Sequence, residues 1–271
     1  ELAQVFSRFG VRVTVVEHAD RLAAADEPEA SALLAEVFAH EGIRVLTGVG
    51  LQRASYDDGS FTLGLDTGEE LVADKLLVAT GRVPNLDDLG LQTVGLDPSA
   101  RTIEVDEHLR AGEKLWAIGD VTGHGAFTHV SMYQSAVALR DVLGEPGAPA
   151  VYHAVPHVTF TDPEVGGVGL TEQRARDAGL RVRTGVARLE ESSRGFTHGP
   201  GGQGLIKVVE DADRGVLVGA LAMGPAGGEV LGFLAVAVHA AVPVETLKTM
   251  IFAYPTFHRA IETALGGLET S

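Results

Sequence analysis

Two acidic residues each close an apolar segment that is typical of a buried strand. Glu17 closes the segment Val11–Glu17, and Asp120 closes Lys114–Asp120. A carboxylate at the carboxyl end of a parallel strand can accept hydrogen bonds from the hydroxyl groups of a nucleotide sugar, and its charge repels a 2′-phosphate. A solvated acid at a strand end is the alternative interpretation of Glu17. The chain therefore carries two candidate positions for binding a sugar.

A third segment combines small residues with a strand end. The apolar run Lys75–Gly81 predicts a strand, and the small residues around Gly81 would let a ligand approach the backbone closely. A plain turn from strand to loop is the alternative. Gly119 and Asp120 likewise place a small residue and a carboxylate at the end of a predicted strand. A predicted helix from about Thr128 to Leu143 comes soon after them.

The first block of the chain has the pattern of an α/β sheet. It predicts a helix over 1–10, a strand over 11–17, a helix over 26–42 with Asp26 as its cap, and a strand over 43–46. This order predicts right-handed crossovers and a parallel sheet. Turn signals at 57–59 and 66–68 predict a small antiparallel meander over 51–72.

From about Tyr152 the pattern changes to α+β. The sequence predicts antiparallel strands over 155–160, 164–170, 180–189, 204–210 and 215–223, a short helix opening at Thr171, and helices over 227–241 and 244–250. The best linker candidate is 144–149, and the glycine-rich stretch 195–203 is expected to be a loose loop. Two domains are the expectation from a length of 271 residues.

Composition excludes several classes of protein. The net charge of −16 argues against wrapping nucleic acid or lying on an anionic membrane. The absence of cysteine excludes disulfides, thiolate metal sites and a cysteine nucleophile within this chain. The ten histidines lack the short spacing of metal ligands, so no metal site is predicted. No cap precedes the helix that opens at Glu1, and we expect residues to be missing before it.

Three segments, in this order and spacing, resemble the flavoprotein disulfide reductases, which include dihydrolipoamide dehydrogenase, glutathione reductase and mercuric reductase. They are Val13–Glu17, Ala79–Asn85 and Leu115–Asp120. Phe160–Thr171 resembles the opening of that family's dimerisation domain. The resemblance covers essentially the whole chain, as the C-terminal part of such an enzyme. It implies a partial Rossmann-like nucleotide-binding sheet followed by an α+β dimerisation domain.

The resemblance also implies domains, cofactors and site residues. The implied domains are a partial NAD(P)-binding domain over 1–81, the C-terminal part of an FAD-binding domain over 82–150, and a dimerisation domain over 151–271. The implied NAD-binding residues are Glu17, Val49 and Gly81, and the implied FAD-binding residues are Gly119, Asp120 and Thr128. Glu17 favours NADH over NADPH. The family's FAD domain with paired redox cysteines has no counterpart here, so we expect the fragment alone to bind no cofactor and to be inactive.

The C-terminal motif departs from the family pattern. Disulfide-reducing members typically carry His-Pro-Thr-x-x-Glu, whose histidine and glutamate relay protons. Here Tyr254 stands in place of the base and Arg259 in place of the acid, while His258 is displaced by four residues. Tyrosine, with an ordinary pKa near about 10, is a poor base at neutral pH. Mercuric reductases carry a tyrosine there, and a packed interface residue is the alternative. Tyr254 and His258 remain the candidate catalytic residues.

Two functions therefore stay open. In the first, the intact protein is a cytoplasmic FAD-dependent oxidoreductase that passes a hydride from NAD(P)H to FAD and on to a disulfide, a metal ion or another acceptor. In the second, the chain is a non-catalytic assembly module. In both, we expect a homodimer through residues 151–271, because the apolar stripe Phe257, Ile261 and Leu265 must be buried. We do not expect the chain to bind nucleic acids or membranes.

Overall fold

The computed structural model describes residues 1–268, which form two compact units. The first unit combines residues 1–77 with residues from 156 onward, and the second unit is Val78–Val155. The chain thus leaves the first unit after the meander and returns to it at the start of the C-terminal sheet.

The first unit opens with helix α1 (Leu2–Arg8), strand β1 (Thr14–Glu17), helix α2 (Pro28–His40) and strand β2 (Arg44–Thr47). Strands β1 and β2 pair in parallel, which confirms the prediction for this segment. Apolar residues recur along α2 at helical spacing, and Leu33, Leu34 and Phe38 are buried in the core. The sheet of β1 and β2 has two strands.

The cap predicted for α2 is wrong by one residue. The N-cap is Glu27, and the carboxylate of Asp26 instead lies 2.7 Å from Nε2 of His157. The side chain of Asp26, which the local sequence predicts to cap the helix, therefore contacts a residue that is distant in the sequence, His157. Strands β3 (Leu51–Asp57), β4 (Ser60–Leu65) and β5 (Glu70–Ala73) form the predicted antiparallel meander.

The second unit contains strands β6 (Arg110–Gly112) and β7 (Leu115–Trp116), followed by helix α3 (Thr128–Val142). The strand predicted over Lys75–Gly81 is wrong, since this segment has no regular secondary structure and its Leu77 and Val78 are exposed. No strand among residues 1–268 pairs with it. The strand predicted over 114–120 is reduced to the two residues of β7, which pair antiparallel with β6. The predicted helix is confirmed as α3.

The C-terminal part of the first unit is a five-stranded antiparallel sheet with the order β10-β11-β12-β9-β8. The elements are β8 (Pro156–Thr159), β9 (Glu164–Gly169), α4 (Glu172–Asp177), β10 (Val182–Arg188), α5 (Ser193–His198), β11 (Leu205–Asp211), β12 (Val216–Gly224), α6 (Gly227–His239), α7 (Val244–Lys248) and α8 (Arg259–Gly266). The predicted strands are confirmed. The loose loop expected over 195–203 is wrong in its first half, which belongs to α5.

Helices α6 and α8 cover this sheet and close its core. Every residue of β11 is buried, and so is every residue of β12 except Val218. At Gly219 in β12, a Cβ atom would lie 1.7 Å from the carbonyl oxygen of Leu170. Only glycine allows the backbone of Leu170, the residue after β9, to approach β12 this closely.

The apolar stripe of α8 is already buried inside its own subunit. Ile261 and Leu265 are fully buried and Phe257 is nearly so. The prediction that a second copy must cover this stripe is therefore wrong, because Ile261 and Leu265 lie on α8, which packs on β10 and β11 of the same chain. A dimer would have to use other residues.

A buried cation ties α2 to the C-terminal sheet. The side chain of Lys207 on β11 is 3% exposed, and its Nζ lies 2.9 Å from Glu27, 2.7 Å from Glu29 and 2.8 Å from Glu172. Burial would lower the pKa of Lys207, but its hydrogen bonds to the three carboxylates outweigh burial and hold the pKa above its ordinary value. We refer to Lys207 and these three glutamates as the Lys207 cluster.

Candidate functional site

Glu17 lies at the carboxyl end of β1, where the loops after both parallel strands meet. Its backbone oxygen accepts a hydrogen bond from the N–H of Val49 at 3.2 Å, and the N–H of Gly48 donates to the oxygen of Ala19 at 2.7 Å. These bonds hold the loop after β2 against the loop after β1. The sequence-predicted residues Glu17 and Val49 are thus brought together at one edge of the sheet.

The carboxylate of Glu17 is held in place by its own loop. Oε1 accepts a hydrogen bond from the N–H of Ala19 at 2.8 Å, and Oε2 has no hydrogen-bond partner within residues 1–268. The residue is half-buried, so the free oxygen can accept a hydrogen bond from a ligand hydroxyl. This arrangement fits the ribose of a dinucleotide at the carboxyl edge of a parallel sheet.

Gly81 belongs to the second unit. Its φ of +125° is one that other residues rarely adopt, and a Cβ atom there would meet nothing within 4 Å. The next residue, Arg82, donates from Nη1 to the oxygen of Ala126 at 2.7 Å. This bond ties the segment of Gly81 to the turn that precedes α3.

The predicted FAD residues surround the same turn. Gly119 is buried with a φ of +81°, and a Cβ atom there would stand 3.3 Å from Oγ of Ser131. Asp120 begins a single 3-10 turn and is exposed, and Thr128 is the exposed first residue of α3. An exposed carboxylate beside a helix start can accept hydrogen bonds from a polyol chain, so these residues fit the group that the family resemblance implies.

Gln134 is the residue that the sequence analysis missed. It lies on α3 with no exposed surface, and its Oε1 accepts the N–H of Gly119 at 2.6 Å. Its Nε2 donates to Thr122 at 2.9 Å and to the phenol of Tyr152 at 3.0 Å. Helical spacing places it in line with buried Val130 and Val137, and a glutamine on an apolar face was the available signal.

Tyr254 and its neighbours form a separate exposed feature on the C-terminal sheet. The ring of Tyr254 is 67% exposed, and the guanidinium of Arg259 lies 5.5 Å from its centroid. Arg259 also lies 3.3 Å from Glu262. His258 is half-buried at the residue before α8. Arg259 thus stacks on the tyrosine as a cation, whereas the family's acid would accept a proton from its base.

None of the helices within residues 1–268 has the length and apolar character that crossing a bilayer requires. Within the same residues, no cluster of three or more histidine, aspartate or glutamate side chains is arranged to hold a metal ion.

Comparison with known proteins gives the family of both halves of the chain. Residues 1–138 match the model described as pyridine nucleotide-disulphide oxidoreductase, and residues 155–265 match the dimerisation domain of the same family. The chain is 35% identical to dihydrolipoyl dehydrogenase of Thermus scotoductus over 99% of its length, and 35% identical to mercuric reductase of Streptomyces lividans over 97%.

These relatives are longer than the chain. The chain spans 59% of the Thermus protein and 56% of the Streptomyces protein. Among solved structures, LpdA from Mycobacterium tuberculosis matches with a TM-score of 0.88 at 26% identity, over 98% of this chain and 58% of that one. With one family model over each half of the chain and this fold, the chain belongs to the pyridine nucleotide-disulphide oxidoreductase family and contains its dimerisation domain.

Proposed function

We propose that the chain is part of an FAD-dependent NAD(P)H oxidoreductase, located in the cytoplasm. The observation that carries this proposal is the position of Glu17, whose carboxylate has a free oxygen at the carboxyl edge of two parallel strands. Bound NAD(P)H and FAD would supply the redox chemistry, and the residues of this chain would hold and orient them.

In this proposal each unit holds a different cofactor. Glu17 accepts hydrogen bonds from the NAD ribose, and the loop of Val49 fixes the edge beside it. The negative charge of Glu17 disfavours the 2′-phosphate of NADPH. Asp120 accepts hydrogen bonds from the ribityl chain of FAD, Gly119 leaves room for a ligand to approach the backbone closely, and Thr128 lies next to the flavin.

The acceptor is proposed only as a class, which is a disulfide, a metal ion or another oxidant. The relatives are named dihydrolipoyl dehydrogenase and mercuric reductase, which act on different acceptors. Tyr254 stacked against Arg259 does not supply a base with an orienting acid, and this argues against glutathione- or lipoamide-type chemistry. Tyr254 and His258 remain the proposed residues at the acceptor.

The test of the nucleotide site uses the intact oxidoreductase of which the chain is proposed to be a part, because the 271-residue chain alone is not expected to bind the cofactor. NADH fluorescence measured on titration gives the affinity of this protein and of its Glu17→Ala variant, with Glu36→Ala as the control because Glu36 is an exposed acid on α2. We expect Glu17→Ala to weaken NADH binding about tenfold and to reduce the preference for NADH over NADPH. NADH binding that is equally strong in both variants would remove Glu17 from the site.

A second function is supported by the incomplete sheet. The segment Lys75–Gly81 forms no strand within the described residues, and the parallel sheet has only β1 and β2. This observation favours a non-catalytic assembly module that pairs as a homodimer through residues 151–271. Exposed apolar side chains on that part of the chain, such as Ile251 at 98% exposure and Phe160, would be covered in the pair.

Absorbance and light scattering separate the two functions for this chain. A colourless protein that scatters as a dimer supports the assembly module, and we expect this outcome. A yellow protein with flavin bound near one per chain would instead support cofactor binding by the chain alone. Monomers at micromolar concentration would contradict the homodimer.

A further inference from the structure

A polar groove of about 320 Å³ lies on the C-terminal sheet beside α8. Its walls are the end of β10, the residues that lead into α5, and the stretch from Tyr254 to Thr263. Its charged lining residues are Arg188, Arg194, Arg259 and Glu191. We call it the arginine groove.

The groove concentrates positive charge in an acidic chain. It carries three arginines against one glutamate, although the whole chain has a net charge of −16. Arg188 and Arg194 have no carboxylate within 4.0 Å anywhere in residues 1–268, and Arg259 shares a single, largely exposed pair with Glu262. Most of the other arginines within residues 1–268 form an ion pair with a carboxylate. The convergence of three arginines in this groove therefore requires an explanation.

Two of the guanidinium groups are held by aromatic rings. Arg194 lies 5.4 Å from the ring centroid of Phe257, and Arg259 lies 5.5 Å from that of Tyr254. Stacking fixes the plane of a guanidinium while its N–H groups stay available at the edge. Hydroxyl groups of Ser193 and Thr263 line the same space and can donate further hydrogen bonds, whereas the hydroxyl of Thr256 already donates to the oxygen of Ala253 at 2.7 Å.

We propose that the arginine groove binds a small oxyanion ligand, carrying a carboxylate or a phosphate group. Guanidinium forks bind both groups through paired, charge-assisted hydrogen bonds. Because the carboxylate of Glu191 also lines the groove, it repels a larger ligand that carries negative charge along its whole length. The groove shares Tyr254 with the residues proposed at the acceptor, but it contains none of the residues assigned to the nucleotides, so anion binding can be tested without NAD(P)H or FAD.

The experiment is isothermal titration of the full 271-residue chain at low ionic strength, where screening of surface charge is weakest. The probes are succinate for the carboxylate arm, inorganic phosphate for the phosphate arm, and succinamide as an uncharged analogue of succinate. We expect succinate or phosphate to bind at one site per chain, and the tighter of the two identifies the ligand class. Succinamide should not bind.

Variants locate the site. Arg194→Gln should weaken binding about tenfold, and Arg194→Lys should fall between, because lysine keeps the charge but loses the fork. The matched control is Arg174→Gln, which removes an exposed arginine on α4 outside the groove. Circular dichroism checks that each variant is folded.

Three results would overturn the proposal. These are the absence of binding by both anions, equal binding of succinamide and succinate, and an equal loss of affinity in Arg174→Gln and Arg194→Gln. The last result would mean that the anions respond to overall charge and not to the arginine groove.

Discussion

The C-terminal sheet and the second unit are built in different ways. The sheet has five paired strands, and its central residues are buried between helices. In the second unit the strands are short, and α3 leaves Met132, Leu139 and Val142 exposed. The sheet therefore combines extensive apolar burial with the buried Lys207 cluster, whereas the second unit buries fewer apolar residues and depends more on a few polar side chains.

Two of these polar side chains are Gln134 and Asp141. The carboxylate of Asp141 accepts from Nε of Arg110 at 2.6 Å and from Nε1 of Trp116 at 2.8 Å. Hydrogen bonds from Arg110 and then Trp116 hold the pKa of Asp141 below its ordinary value. Trp116 is the single tryptophan of the chain, so its fluorescence reports on the second unit alone.

The largest effect is expected at the Lys207 cluster. Lys207→Met leaves Glu27 and Glu29 without a cation and Glu172 with Arg176 alone, and we expect it to lower the free energy of unfolding by about 3–5 kcal/mol. Urea unfolding followed by circular dichroism measures the change, and the comparison predicts a smaller shift in the Trp116 fluorescence midpoint. Lys248→Met, at an exposed pair with Glu245, is the control. Equal small losses in both variants would contradict the role of the cluster.

A pair of glycine substitutions tests how tightly the sheet is packed. Gly219→Ala places a Cβ atom on the carbonyl of Leu170, and we expect a loss of about 3 kcal/mol in unfolding free energy. Gly232→Ala on α6 meets no atom within 4 Å, and we expect a gain of about 0.8 kcal/mol from better helix propensity. Opposite signs in the same thermal or urea assay would support the comparison, and a tolerated Gly219→Ala would break it.

The corresponding test of the second unit is Gln134→Leu. It leaves the buried N–H of Gly119 without its acceptor and removes the amide that donates to the hydroxyl of Thr122, and we expect a cost of about 2 kcal/mol. The loss should appear in the Trp116 fluorescence transition, while most of the circular dichroism signal keeps its midpoint. Ser135→Ala, an exposed change on the same helix, should leave both signals unchanged. A shift in circular dichroism alone would show that the two regions do not differ as described.

The smallest effect is a pH dependence from Glu172. Burial opposes ionisation of Glu172, but hydrogen bonds from Lys207 and Arg176 outweigh it and hold its pKa below the ordinary 4.5. Because the folded pKa is the lower one, its contribution to stability is present above about pH 4.5 and is lost as the pH falls through the folded pKa. Midpoints measured from pH 6 to about pH 3 should fall less steeply in Glu172→Gln than in the parent chain. Glu245→Gln, at an exposed acid, should follow the parent, and identical slopes in all three would exclude Glu172.

The sequence predicted regular structure best where each segment finds its partner nearby. The parallel β1 and β2, the meander and the antiparallel strands of the C-terminal sheet are confirmed by the structure. The segment Lys75–Gly81 has the apolar composition of a strand but no partner strand in the described residues, and composition alone does not reveal whether a partner exists.

The candidate site shows the same limit. Glu17 lies at the strand end where the pattern placed it, and its role in binding NAD stays a prediction. The cap at Asp26 and the supporting residue Gln134 were not predicted correctly, because each is decided by a contact distant in sequence, with His157 and with Gly119. Local pattern gives the position of a side chain, and tertiary contacts decide its partner.

The inward-facing stripe of α8 separates folding of the C-terminal sheet from association of the chain with another molecule. Since Ile261 and Leu265 are sealed off by β10 and β11, the C-terminal sheet can reach its native arrangement before it meets another molecule. Dilution should then dissociate any oligomer into native subunits without melting this sheet.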